Sequence, residues 1–124
     1  MLNLILIGVG GALGAVSRYG VDKLLTGLIG QTVLGTFAVN ISGSLILGLI
    51  AGMTSSRTNL PEAVTMFLAI GFCGSFTTFS TVTVASFRLF EDGDYITAST
   101  NIFGSVIVGL AAAGIGLWLG RQYF

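Results

Sequence analysis

The eleven residues Gly71-Phe72-Cys73-Gly74-Ser75-Phe76-Thr77-Thr78-Phe79-Ser80-Thr81 bring together five hydroxyl side chains, three phenylalanines and two glycines. They lie inside Ala63 to Phe87, a stretch with no charge that is long enough to cross a membrane. Leu and Ile would be the cheapest residues at that depth, and a lipid-facing helix must satisfy all of its own backbone groups. Hydroxyls and glycines there make sense if the helix is interrupted and the freed carbonyls and hydroxyls face an ion or a water-lined path.

Further neutral polar residues fall within apolar runs: Asn40, Ser42 and Ser44 in one, Thr100, Asn101 and Ser105 in another. Neutral donors with no fixed cation can hold an anion through hydrogen bonds without trapping it, as conduction requires. The positive rims of Phe76 and Phe79 are a second source of attraction for an anion. Plain packing explains the same rings equally simply.

The elements that must position these residues follow from composition. With 53% hydrophobic and 8% charged residues and a mean hydropathy of +0.96, the chain is an integral membrane protein. Its charges delimit uncharged runs from Met1 to Ser17, Leu24 to Ser56, Ala63 to Phe87 and Tyr95 to Gly120. About 20 apolar residues cross the hydrocarbon as a helix, so four spans fit. The reading is an all-α protein with one four-helix transmembrane domain over 1–124, its helices at about 2–25, 32–53, 61–89 and 95–121. Pro61 and Glu62 suit the start of the third span, which breaks near Gly74 to Phe79, and Asp94 suits the N-cap of the fourth. Gly10 with Gly14, Gly48 with Gly52 and Gly116 with Gly120 have the small-xxx-small spacing of close helix contacts. The first span has no positive flank before it and reads as a packing helix, not a cleaved signal.

Several function classes drop out. Cys73 is the single cysteine and there is no histidine, so zinc and redox chemistry lack ligands. Asp22, Glu62, Glu91, Asp92 and Asp94 all fall at span ends or in loops. A proton-coupled transporter needs an ionisable relay inside the membrane, so passive conduction is favoured over exchange. If the termini share one side, that side carries Arg57 and Arg121, and the other carries Arg18, Lys23 and Arg88. Such a small bias lets the chain insert either way up. Four helices also enclose a polar path poorly, which favours an antiparallel dimer over one fixed orientation set by a partner or by the insertion machinery.

Three segments, Gly10-Gly11-Ala12-Leu13-Gly14-Ala15-Val16-Ser17-Arg18-Tyr19, Gly35-Thr36-Phe37-Ala38-Val39-Asn40-Ile41-Ser42-Gly43-Ser44 and Gly71 to Thr81, resemble in order and spacing the signatures of the Fluc or CrcB fluoride channel family. The resemblance implies a non-enzymatic, fluoride-selective channel in a prokaryotic plasma membrane, exporting fluoride passively and so reducing its toxicity. It also implies an antiparallel, dual-topology dimer with two pores and a structural sodium ion at its centre, held by the backbone carbonyls matching Gly74 and Thr77. Asn40, Phe79, Ser80 and Thr81 match pore residues, Ser105 loosely matches a hydroxyl of the fourth-helix polar track, and Arg18 is read as drawing anions into a vestibule. Phe76 is counted with the pore.

Two positions depart from the pattern. Val82 stands where a second pore phenylalanine is expected, and Asn101 where some relatives carry tyrosine. Val82 keeps open a heterodimeric channel with one degenerate pore. A small dual-topology exporter of other ions or drugs would need a membrane-embedded carboxylate, and a purely structural assembly subunit would use the hydroxyls only for packing. Fluoride, lipid and a second subunit are the expected partners, and nucleic acid is not.

Overall fold

The computed structural model describes residues 1–30 and 33–124. Helix α1 runs over Leu2–Ile29 and stops at Gly30, whose φ of 84° is readily adopted only by glycine. Thr32, the expected start of the second span, lies outside the described residues, and α2 covers Leu34–Thr54. The third span opens with α3 (Glu62–Val64), capped by Pro61, and continues as a π-helix over Thr65–Cys73. A last turn, α4 (Gly74–Phe76), leads to an extended break at Thr77 and Thr78, after which α5 covers Phe79–Glu91. Asp94 accepts a hydrogen bond from the Thr97 amide at 3.1 Å and so starts α6, Tyr95–Tyr123. Among the described residues, four helical segments are thus long and apolar enough to cross a membrane, the third of them broken. The chain is a multi-pass membrane protein.

The break falls inside the expected window, whereas the π-helix before it has no counterpart in the sequence pattern. π-helical turns are rare and concentrate at functional sites. This one packs on α1, where Gly10 and Gly14 lie so close to the Phe67 and Phe72 carbonyls that a Cβ on either would clash.

The most extensive helix pair is α2 with α6. Gly48 and Gly52 face the Ala113 and Leu117 carbonyls, while Gly116 and Gly120 face those of Leu45 and Leu49, again with no room for a Cβ. All three glycine pairs with small-xxx-small spacing are therefore contact faces. Such backbone approach is what joins helices where lipid is as apolar as the side chains. The exterior is accordingly rich in exposed Leu, Ile, Val and Phe, and the buried apolar set is small: Val39, Ile50, Cys73, Phe76, Val82, Ala98 and Ala112.

Two contacts place both chain ends at the connection between α2 and α3. Asn3 Nδ2 donates to Glu62 Oε1 at 2.8 Å, and the Thr58 hydroxyl donates to the Phe124 carbonyl. At the other end of the bundle, Asp22, Lys23, Arg88, Asp92 and Asp94 rim one groove of about 1060 Å³. The termini thus share a side, and the basic residues divide as the sequence reading supposed.

Candidate functional site

An extended pair of residues inside a span leaves backbone groups without helical partners, and here α2 supplies one. In an unbroken helix the Thr78 N–H would donate to the Gly74 carbonyl. Instead it donates to Asn40 Oδ1 at 2.7 Å, while Asn40 Nδ2 donates to the Thr78 carbonyl at 3.0 Å. The asparagine amide thus pairs with Thr78 as a neighbouring strand would. This satisfies the break and leaves the Gly74 carbonyl without its usual donor. One Nδ2 hydrogen of Asn40 is not used by that pair.

The Thr78 side chain organises the residues after the break. Its hydroxyl caps α5 by accepting from the Thr81 amide at 3.3 Å, and it lies 3.2 Å from both Ser80 Oγ and Thr81 Oγ1. Thr77 turns its hydroxyl back to the Cys73 carbonyl, 2.9 Å away. Hydroxyls that both donate and accept make the segment a chain of re-orientable dipoles.

Two cavities meet at Thr78. One, of about 400 Å³, has Asn40, Ser44, Thr77, Phe79, Val82 and Ser105 in its wall, with Thr78, Thr83 and apolar residues for the rest and no charge. The other, of about 260 Å³, is lined by Arg18, Tyr19, Asp22, Thr36 and Thr81. Arg18 is half-buried there and forms no ion pair among the described residues. Arg18 shares its cavity with Asp22, and the neutral donors line the other cavity, where they can hold an anion without trapping it.

The structure brings Asn40, Thr77, Phe79 and Ser105 to the first cavity and Arg18 and Thr81 to the second. Phe79 is 78% exposed in the single chain, so its ring has free edges. Phe76, counted with the pore from sequence, lines neither cavity. It is buried, stacked on Phe72 with centroids 5.4 Å apart, and lies against Gly43, which makes it a packing residue because glycine leaves a slot for its ring. Ser80 also lines neither cavity and is held by the Thr78 hydroxyl. Gly74 sits exposed on the outer surface beside the half-buried Thr77.

Ser86 was not singled out from the sequence. It is buried on α5 and accepts a hydrogen bond from Asn101 Nδ2 at 2.8 Å. The one available signal was a serine four residues after Val82, on the same face of an uncharged helix.

This arrangement has known relatives. The family profile described as "CrcB-like protein, Camphor Resistance (CrcB)" matches residues 5–117. A protein of Methylobacterium nodulans called "Fluoride-specific ion channel FluC" is 40% identical over 123 residues, covering 99% of each chain. One of the same name from Syntrophotalea carbinolica is 42% identical over 122 residues, 98% of this chain and 99% of its own. "Fluoride-specific ion channel FluC 2" of Symbiobacterium thermophilum is 43% identical over 117 residues, 94% and 92% of the two chains. A profile match across nearly all the chain and full-length relatives at this identity make the protein a member of the CrcB family.

Proposed function

We propose that the protein is a passive, fluoride-selective channel of a prokaryotic plasma membrane, carrying the anion out of the cytoplasm down its electrochemical gradient. The observation that carries the reading is the uncharged cavity at the break, walled by Asn40, Ser44, Ser105 and the Phe79 ring and meeting at Thr78 a second cavity that Arg18 lines. Fluoride sheds water and takes in exchange the free Asn40 N–H, hydroxyl hydrogens and the positive rim of Phe79. A narrow bore with fixed donors excludes wider anions. Nothing in this scheme makes or breaks a covalent bond, so the protein is not an enzyme. The first cavity has no carboxylate in its wall, which a proton- or cation-coupled exporter would need.

The working particle in this reading is an antiparallel dimer with a structural sodium ion. Three features support it. Phe79 and Gly74 are exposed in the single chain, the basic residues are nearly balanced between the two sides, and the Gly74 carbonyl has lost its helical donor. Carbonyl oxygens suit a hard cation, and a second copy would complete a ligand shell that Gly74 and Thr77 of one chain leave incomplete. A bound cation would add positive charge beside the anion paths. The second reading, a heterodimer with one degenerate pore, rests on Val82, which lines the first cavity without offering a ring edge.

Expression of this chain alone in a fluoride-sensitive cell lacking its own exporter tests both. Growth restored in fluoride supports a self-sufficient channel. No rescue by a protein that reaches the membrane contradicts the homodimer.

A further inference from the structure

The glycines that join α1 to the π-helix and α2 to α6 face backbone carbonyls, but Gly43 faces a side chain. It is buried on α2, and a Cβ there would overlap the Thr77 methyl, with the Phe76 ring at 3.3 Å and the Thr77 Cβ at 3.8 Å. Gly43 follows Asn40 by three residues, which puts both on one face of the helix. Consecutive residues of the break, Thr77 and Thr78, therefore rest on Gly43 and Asn40.

Both branches of the Thr77 side chain are in use. Its hydroxyl donates to the Cys73 carbonyl at 2.9 Å, and that bond fixes the rotation about Cα–Cβ and so the direction of the methyl. Serine could make the bond without the contact, and valine the contact without the bond. The Asn40 pair alone leaves the break free to pivot about one side chain. A second support one helical turn away removes that freedom and sets how the Thr77 carbonyl and the Asn40 amide are turned.

We propose that Gly43 is a positioning residue for the anion path: the space left by its missing Cβ seats the Thr77 methyl, and this seat and the Asn40 clamp together fix the break against α2. The inference rests on the fluoride reading and adds a requirement to it, that positions 43 and 77 carry one methyl between them. Gly43→Ala overfills the seat, and Thr77→Ser empties it. Made together, the two changes move the methyl across the contact, because the new Cβ at position 43 would stand 3.8 Å from the Cβ of residue 77, an ordinary van der Waals distance.

Fluoride efflux from liposomes tests the seat as a double-mutant cycle. Gly43→Ala is expected to slow efflux about tenfold per folded protein, as overpacking displaces the break, and Thr77→Ser to slow it less. The double variant is expected to be no slower than Thr77→Ser alone. Wild-type efflux from Gly43→Ala overturns the seat, and so does a double variant as slow as Gly43→Ala. Side-chain signals separate positioning from stability. The chain has four asparagines, so 15N-asparagine labelling in lipid nanodiscs gives a simple set of NH2 signals, that of Asn40 being the one lost in Asn40→Asp. The Asn40 pair should shift in Gly43→Ala and return in the double variant. An Asn40 pair that stays in place while the melting temperature falls means packing only and overturns the positioning role. Should Gly43→Ala fail to fold, Thr77→Ser takes its place, and an unmoved Asn40 signal there overturns the seat. Wild-type liposomes that retain fluoride as protein-free ones do overturn the fluoride reading, and the Asn40 signals then decide the seat by themselves.

Discussion

Asn40 is tied to the break by two hydrogen bonds, and its chemistry explains why this residue type is needed. An amide side chain carries its acceptor and its donor on separate atoms, so Asn40 accepts from the Thr78 N–H and donates to the Thr78 carbonyl at once. Asn40→Ala leaves both groups unpartnered, at about 1–3 kcal/mol each. The prediction is a clear drop in thermal stability together with loss of fluoride flux. Asn40→Asp keeps the acceptor and loses the donor, so its stability should lie between those of the wild type and Asn40→Ala, while its added charge abolishes flux. Equal stability of the three proteins would contradict the clamp. The sequence placed Asn40 near the ion path through its type and depth, but the partner it holds is 38 positions away in the chain and was not readable. Phe76 and Phe79 look alike in sequence. Only packing against Gly43 and Phe72 separates the buried ring from the exposed one.

At the scale of the helix, glycine spacing was the most legible signal. Gly48, Gly52, Gly116 and Gly120 recur at four-residue intervals, and each has a facing carbonyl where a Cβ would stand. Gly116→Ala must push α2 from α6, a cost of about 1–3 kcal/mol for overpacking. Gly114, two residues away on the same helix, has nothing within 4 Å of an added Cβ. Gly114→Ala should therefore not destabilise the fold, and the better helix propensity of Ala should favour it by about 0.5–1 kcal/mol. Thermal melts of the two variants in one detergent check the contrast, and equal effects would contradict the α2 and α6 interface. The span boundaries and the Asp94 cap were readable from the positions of charge and turn residues, because lipid penalises charge so strongly. The π-helix of Thr65–Cys73 was not, because its side chains are as apolar as those of any membrane helix and its shape is set by packing on α1.

For the molecule as a whole, charge and exposure argue together. Arg57 and Arg121 lie toward the end where both termini meet the α2 to α3 connection, and Arg18, Lys23 and Arg88 lie toward the other. With so small a bias, a cysteine added after Phe124 should be labelled from both sides of the membrane in intact cells. Adding three lysines beside Arg121 should shift labelling to the cytoplasmic side and lower transport, since the proposed dimer needs opposed copies. Labelling from one side alone in the unmodified protein would contradict dual topology. The property proposed for the whole molecule is a path selective for fluoride. Fluoride efflux from liposomes holding the purified protein, set against chloride efflux from the same liposomes, tests it most directly. A fluoride-selective path gives rapid fluoride release with chloride at the level of protein-free liposomes; equal release of the two anions, or none of fluoride, is incompatible with such a path.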